Sequence, residues 1–383
     1  MWRGESAEGG TLMRIRALGV VAIGVAAAVT LAACSSSSKS TNNAGGSASS
    51  GSTSGSTSVK GKVGVILPDT QSSARWEDFD KPFLTKAFAD AGVTADIQNA
   101  QGDKNKMISI ADAMIQEGVS VLAIVNLDSA SGAQIEQKAK SQSVKTLDYD
   151  RLTLGGSADA YISFDNTKVG ELQGQGLVSC LGSKTNAHII ELNGSPTDNN
   201  ATLFKTGYDS VLNPKYAAGW KKVGDKSVPD WDNAKAVTIF EQLFTAAGGK
   251  VDGVLAANDG LGNSAITTLK KNHLKIPVTG QDATVGGLQN ILRGDQCMTV
   301  YKSIKLEAGA LSQAAIALLG GKSVATTATV KDTQAGREVP SLLLVPKAIT
   351  KDNVKTVVDD GFVKVTDLCA GDVAALCTKA AIS

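Results

Sequence analysis

Histidine is nearly absent from this chain of 383 residues: only His188 and His273 occur. Neither lies in a polar cluster, so a Ser–His–Asp site has no base to build on. Neither lies near a Cys-x-x-Cys pair, so the sequence gives no support for a metal centre. An excess of one charge is missing too. The 38 Lys and Arg face 37 Asp and Glu, a formal net charge of +1, which argues against nucleic acid or a polybasic membrane surface as a partner. Aromatics make up only 4% of residues, so each tryptophan has to be placed individually. The apolar run at 18–31 is short of the ~20 residues that a membrane span needs.

That run reads instead as part of an export signal. Met13-Arg14-Ile15-Arg16 gives it a basic start, and Leu31-Ala32-Ala33-Cys34 has the form of a lipoprotein signal-peptidase site. Met13 is the natural first residue, since Met1 to Leu12 adds Glu5 and Glu8, which a signal peptide does not want. Residues 1–33 are then a leader and Cys34 a lipidated anchor. Residues 35–58 are almost all Ser, Gly, Thr, Asn and Ala, too polar to order themselves, and read as a tether. The expected location is the outer face of the cytoplasmic membrane. Four further cysteines, Cys180, Cys297, Cys369 and Cys377, suit disulfides in an exported chain. Three connectivities are open; the favoured one joins Cys180 to Cys297 and Cys369 to Cys377.

From residue 63 onward short β-rich runs alternate with helical periodicity. Strands are expected at 63–67, 94–98, 121–125 and 144–148, with helices at 76–91, 103–118 and 134–142. The alternation restarts at 167, with strands at 188–192, 221–223, 253–256 and 278–280. It predicts doubly wound parallel sheets in two lobes. A strand at 298–302, a helix at 305–319, a β-rich piece at 341–345 and a Cys-bearing tail keep coming after the second half is complete. Repeated crossing between lobes would explain them and would make a hinge. The expected lobes are 59–164 with 303–338, and 165–302 with 339–383.

Three chemistries compete for the polar residues at the strand ends. Gly260-Leu261-Gly262-Asn263-Ser264-Ala265, with Asp282 about twenty residues on, fits a dinucleotide fingerprint. An exported protein meets no nicotinamide pool, and Asn258-Asp259 replaces the apolar exit that the motif wants, so a Gly-rich helix start is the better reading. Asp69, Asp150, Asp259 and Asp282 offer carboxylates for glycoside hydrolysis. Arg75-Trp76, Tyr149-Asp150-Arg151, Asp198-Asn199-Asn200, Asn258-Asp259, Gln281-Asp282 and Tyr301-Lys302, however, mix acids with amides and cations, which suits hydrogen bonding to hydroxyls better than proton transfer. Trp76 and Trp231 would supply the aromatic faces that a sugar ring needs.

These clusters resemble the periplasmic sugar-binding proteins of ABC importers, and among them the D-xylose-binding branch. The matching blocks are Arg75-Trp76, 147–151, 161–166 with 168–173, 193–201, 280–283 and 298–302, and the resemblance runs from about 63 to 362. It implies a type I periplasmic-binding fold with two lobes, three hinge crossings and a non-enzymatic role. The ligand residues it implies are Arg75, Trp76, Arg151, Asn200, Trp231, Asn258, Asp282 and Lys302, with neither cofactor nor metal. Implied partners are one monosaccharide, D-xylose before glucose, ribose, arabinose or a sugar-like signalling molecule, and the subunits of an ABC permease. The membrane is met through the anchor alone, nucleic acid not at all, and the chain is expected to be a monomer. A sugar-responsive repressor of the same fold would need an N-terminal helix-turn-helix, where this chain has a leader. The stretch 226–230 lacks a second tryptophan of the pattern, and the Cys-bearing tail lies outside it.

Overall fold

The computed structural model describes residues 60–382. The leader, Cys34 and the tether lie outside the described residues. The first lobe opens with β1 (Lys62–Leu67), α1 (Lys81–Asp90), β2 (Thr94–Asn99), α2 (Lys104–Gln116), β3 (Val121–Ile124), α3 (Ser129–Ser141), β4 (Lys145–Tyr149) and β5 (Ala160–Phe164). The second runs through α4 (Asn166–Leu181), β6 (His188–Asn193), α5 (Asn199–Ala217), β7 (Lys221–Ser227), α6 (Asn233–Ala246), β8 (Gly253–Ala256), α7 (Asp259–Lys271), α8 (Val285–Arg293) and β9 (Thr299–Tyr301). The chain then returns through α9 (Ile304–Leu319), β10 (Ala328–Asp332) and β11 (Arg337–Leu344), and ends with β12 (Lys347–Ile349), α10 (Lys355–Asp359), α11 (Val365–Leu368) and α12 (Ala374–Lys379).

Side-chain caps at the strand exits start these helices. Asp103, Asp128, Asp165, Asp198, Asp232, Asn258 and Thr284 each accept a backbone N–H from the first turn that follows. The cap at Asp128 explains why α3 begins at Ser129, ahead of the expected 134. One helix start is irregular: Trp76–Asp80 forms a π-helical turn before Pro82 sets α1 on its regular course.

The first sheet has the order β10-β11-β5-β4-β3-β1-β2, parallel throughout except for β10 at its edge. Val121–Ile124 is buried on both faces, as a central parallel strand must be. The second lobe has the order β7-β6-β8, also parallel. Its run continues through paired backbone bonds, Val254 N–H to the Pro277 carbonyl (2.9 Å) with Thr279 N–H to the Val254 carbonyl (3.0 Å), then Asp282 N–H to the Val300 carbonyl (2.9 Å) with Val300 N–H to the Gly280 carbonyl (3.2 Å), out to β9 and the antiparallel β12. The chain crosses between the lobes near 165, 302 and 345, giving the three-crossing hinge.

One expected boundary is corrected. Residues 339–344 were assigned to the second lobe, but Ser341–Leu344 of β11 pairs in parallel with Tyr161–Phe164 of the first sheet. An apolar run can pair with either sheet; the turn at Gly336 folds it back on β10 and so fixes the choice. The structure links Cys180 to Cys297 and Cys369 to Cys377. The tail packs with α8 and the start of α9 into a small shared core, where Phe362 lies between Phe79 of the first lobe (4.4 Å between ring centroids) and Tyr301 at the second crossing (5.3 Å).

Helices α4 and α5 approach closely because glycines face each other. A Cβ on Gly170 would lie 1.9 Å from the Phe204 carbonyl oxygen, and one on Gly207 would lie 2.1 Å from that of Thr167. Backbone cannot yield cheaply there. Gly170→Ala is therefore expected to destabilise the protein by ~1–3 kcal/mol or more, read as a lowered midpoint in thermal or urea unfolding; an unchanged midpoint would refute the close packing.

Candidate functional site

The carboxyl ends of β1, β4, β6 and β8 meet the loop after 280 and the second crossing around one cavity. It encloses about 340 Å³ of space between the side chains, part of it open to solvent. Every residue expected at the site lines it: Arg75, Trp76 and Arg151 from the first lobe, Asn200, Trp231, Asn258 and Asp282 from the second, and Lys302 at the crossing. The sequence reading left out Ser72, Ser73, Asp150, Asp198, Phe204 and Gln281, which complete the wall. Asp150, Asp198 and Gln281 stood within the polar clusters already noted, whereas nothing local marks Phe204, which α5 carries in beside Trp231 (6.4 Å, edge to face).

Asp150 organises the wall. Its backbone is left-handed (φ 58°), a conformation that costs an ordinary residue ~1–3 kcal/mol. Three donors hold its carbonyl in place: Tyr161 Oη (2.7 Å), Ser163 Oγ (2.8 Å) and Asn200 Nδ2 (3.0 Å). Its carboxylate accepts from Arg75 Nη1 (2.8 Å), Asn200 Nδ2 (3.1 Å) and Lys302 Nζ (3.3 Å). Burial alone would push this carboxyl up, but Lys302, Arg75 and Arg151 outweigh it and hold the group well below the usual carboxylate range.

Arg75 is more committed than its expected role as a ligand donor requires. Its Nε and Nη2 fork onto Asp80 (both 2.8 Å), Nη2 also reaches Glu307 (2.6 Å), and Nη1 reaches Asp150. Of the five N–H groups of a guanidinium, one on Nη1 remains. Burial works against its charge, yet Asp80, Glu307 and Asp150 more than compensate and keep it protonated. Glu307 is shifted up as well, but for the opposite reason: burial pushes it to about 8, against the pull of Arg75.

Other groups stay open. Gln281 Oε1 and Arg151 Nε are buried with no hydrogen-bond partner; Arg151 Nε lies 3.1 Å from Asp198 Oδ2, but out of line with it. Buried polar atoms are rarely left so. Asp282, also left-handed at φ 97°, turns its carboxylate to the cavity, and burial raises its pKa against the attraction of Lys302 and Arg75. Trp231 (φ 55°) is fixed by its Nε1 donating to Asp198 Oδ2 (3.1 Å) and by Gly194, where a Cβ would stand 2.0 Å from the ring. Two polar gaps and an open carboxylate between Trp76 and Trp231 make a site that can recognise a small neutral polyol.

The strand-end carboxylates do not form a hydrolytic pair. Asp69 turns away to accept from the Gln71 and Ser72 amides and from Ser72 Oγ. Asp259 lies behind the cavity, accepting from Gln296 Nε2, Thr299 Oγ1 and both the N–H and Oγ1 of Thr284. It thereby ties the end of β8 to β9 and the 280s loop.

A model of the family described as periplasmic binding protein domain matches residues 63–323. The chain belongs to this family. It is 36% identical to the D-xylose-binding periplasmic protein of Escherichia coli over 80% of this chain and 92% of that one. A multiple sugar-binding periplasmic protein of Azospirillum brasilense is also 36% identical, over 79% of this chain and 90% of its own. Among solved structures, a carbohydrate-transporter solute-binding protein from Chloroflexus aurantiacus in complex with D-glucose superposes with a TM-score of 0.73 at 28% identity. That match covers 80% of this chain and 98% of the other. The fold is thus the type I periplasmic-binding fold, and the protein is an extracytoplasmic binding protein, not an enzyme.

Burial, with the neighbouring charge of Asp282, pushes the Asp259 carboxyl up to about 7 despite its hydrogen bonds. An unfolded Asp titrates near ~3.9, so the folded state binds the proton more tightly. The resulting stability is full below pH ~4 and is lost as pH rises through about 7. Asp259→Asn, which stays neutral, is expected to flatten the fall in Tm between pH 5 and 8; Glu307, with the same sign, leaves a residual slope. A variant as pH-dependent as the wild type would rule this out.

Proposed function

We propose that this chain is the lipid-anchored binding protein of an ABC sugar importer, closing on one monosaccharide and presenting it to the permease. The observation that carries the reading is the set of unsatisfied groups facing one cavity: Gln281 Oε1, Arg151 Nε and the Asp282 carboxylate. In this reading Asp282 accepts from two neighbouring hydroxyls, and Arg151 and the spare N–H of Arg75 donate to sugar oxygens. The Asn258 side-chain oxygen is taken by the Leu261 amide (2.9 Å), leaving its NH2 as donor. Trp76 and Trp231 cover the two faces of the ring. Asn200 and Lys302 act through Asp150 as much as through the ligand. The protein works as a monomer, held at the membrane by Cys34 alone.

Closure is a shift of population. The ligand touches both lobes, so it binds the closed state more tightly than the open one and draws the equilibrium towards it. Contacts between the lobes, Asn200 to Asp150 and Arg151 to Asp198, support the same state.

D-Xylose is the first candidate, on the strength of the D-xylose-binding relative. A broader selectivity has its own support in the multiple sugar-binding relative of equal identity. Calorimetric titration with D-xylose, D-glucose, D-ribose and L-arabinose separates the two. The expected result is one-to-one binding with xylose preferred, weakened at least ~30-fold by Asp282→Ala, as loss of a charged hydrogen-bond acceptor implies. A different preferred sugar would transfer the role to that sugar. Silence from all four would overturn the monosaccharide reading in favour of a sugar-like signalling molecule.

A further inference from the structure

Outside the cavity lies a second, larger space, with about 850 Å³ of empty volume between the lobes. It shares Ser72, Arg151, Asp198 and Trp231 with the inner cavity, so the two are compartments of one cleft. The partition between them is thin. Arg151 Nη2 reaches Ser72 Oγ at 3.5 Å, the limit of a hydrogen bond, and its Nε faces Asp198 without bonding. A rotation of this one side chain, giving up the bond from its Nη1 to the Asn126 carbonyl (3.2 Å), would open the inner compartment to the outer.

The walls of the vestibule have their own chemistry. The first lobe offers the exposed amide side chains of Gln71 and Gln101, and the second offers Trp231, with Lys235 and Asp230 paired beside it (2.9 Å). Gln101 is held in a left-handed conformation (φ 58°) by its N–H to Asn99 Oδ1 (2.8 Å). Across the gap Asp230 and Trp231 are left-handed as well (φ 59° and 55°). Strain of this kind persists only where the surroundings impose it, and it gathers at ligand clamps. Amide side chains in one space with the indole shared by the inner cavity, and with Lys104, Lys235, Asp230 and Asp232 around them, suit a second sugar ring, which needs hydrogen bonds at its rim and an aromatic surface beside it.

We propose that the vestibule is a subsite for a second sugar unit. Short oligosaccharides of the bound monosaccharide would then bind with one ring in the inner cavity and the next between Gln101 and Trp231, Arg151 swinging aside. This rests on the sugar-binding reading above, and the experiment separates the two. Purified protein is titrated calorimetrically with D-xylose and with xylobiose, alongside the double variant Gln71→Ala/Gln101→Gly; glycine at 101 keeps the left-handed backbone without strain. The expected result is that xylobiose binds the wild type and is weakened about tenfold in the variant, while xylose affinity stays the same within about twofold. Xylose binding without xylobiose binding would overturn the subsite and leave the monosaccharide reading intact, the vestibule being an entrance only. Xylobiose binding indifferent to the variant would also overturn it. Binding of neither would remove xylose as the ligand and overturn the subsite with it, while the monosaccharide reading itself falls only if glucose, ribose and arabinose are silent too.

Discussion

Six hydrogen bonds converge on Asp150, and most of the site's geometry follows from them. They come from the first lobe through Arg75, Tyr161 and Ser163, from the second through Asn200, and from the hinge through Lys302. A buried carboxylate is costly unless it is paired and fully bonded. Here the pairing fixes the rotamers of the cations that line the cavity. Arg75 in turn is clamped by Asp80 and Glu307, so the positive charge is preorganised and not gathered when ligand arrives. Removing Arg75 would leave Asp80, Asp150 and Glu307 buried together without the cation they share, which makes this network a unit.

The same economy of groups explains why so many site residues have two bonding partners. Asp198 caps α5 through Oδ1 and holds the Trp231 indole through Oδ2; Asn258 caps α7 and lines the cavity. Parallel sheets place helix starts beside the ligand crevice, so a capping side chain there has its free atoms directed into the cleft. Polar residues at strand ends were thus informative for two independent reasons, local capping and ligand recognition. That is why the sequence pointed to positions that line one cavity even before their roles were separated.

Some features had no local signature. Phe204 sits in an ordinary helical stretch, and only the glycine-mediated contact of α4 with α5 brings its ring to the cavity. The engagement of Arg75 could not be read either, because Glu307 is more than two hundred residues away along the chain. The Cys-bearing tail, which lies outside the resemblance, joins a core in which Phe362, just ahead of it, packs between Phe79 and Tyr301. Those residues lie close in sequence to Trp76 and to Lys302, so the tail braces both sides of the cleft from behind.

By itself the sequence determined the alternation of strands and helices, the division into two lobes, and the strand ends at which chemistry could occur. Period, caps and glycine stops are local properties, written within a few residues of where they act. Tertiary structure alone decided which acids face the cavity. Asp69 and Asp259 look the same in sequence as Asp150 and Asp282, yet the first pair is consumed by backbone amides, Gln296 and Thr299, while the second turns to the cavity from left-handed backbone. Tertiary structure also gave β11 to the first sheet, since strand pairing is settled by partners distant in the chain. The direction of a side chain at a strand end depends on backbone torsion and distant donors, and neither is encoded in its neighbours.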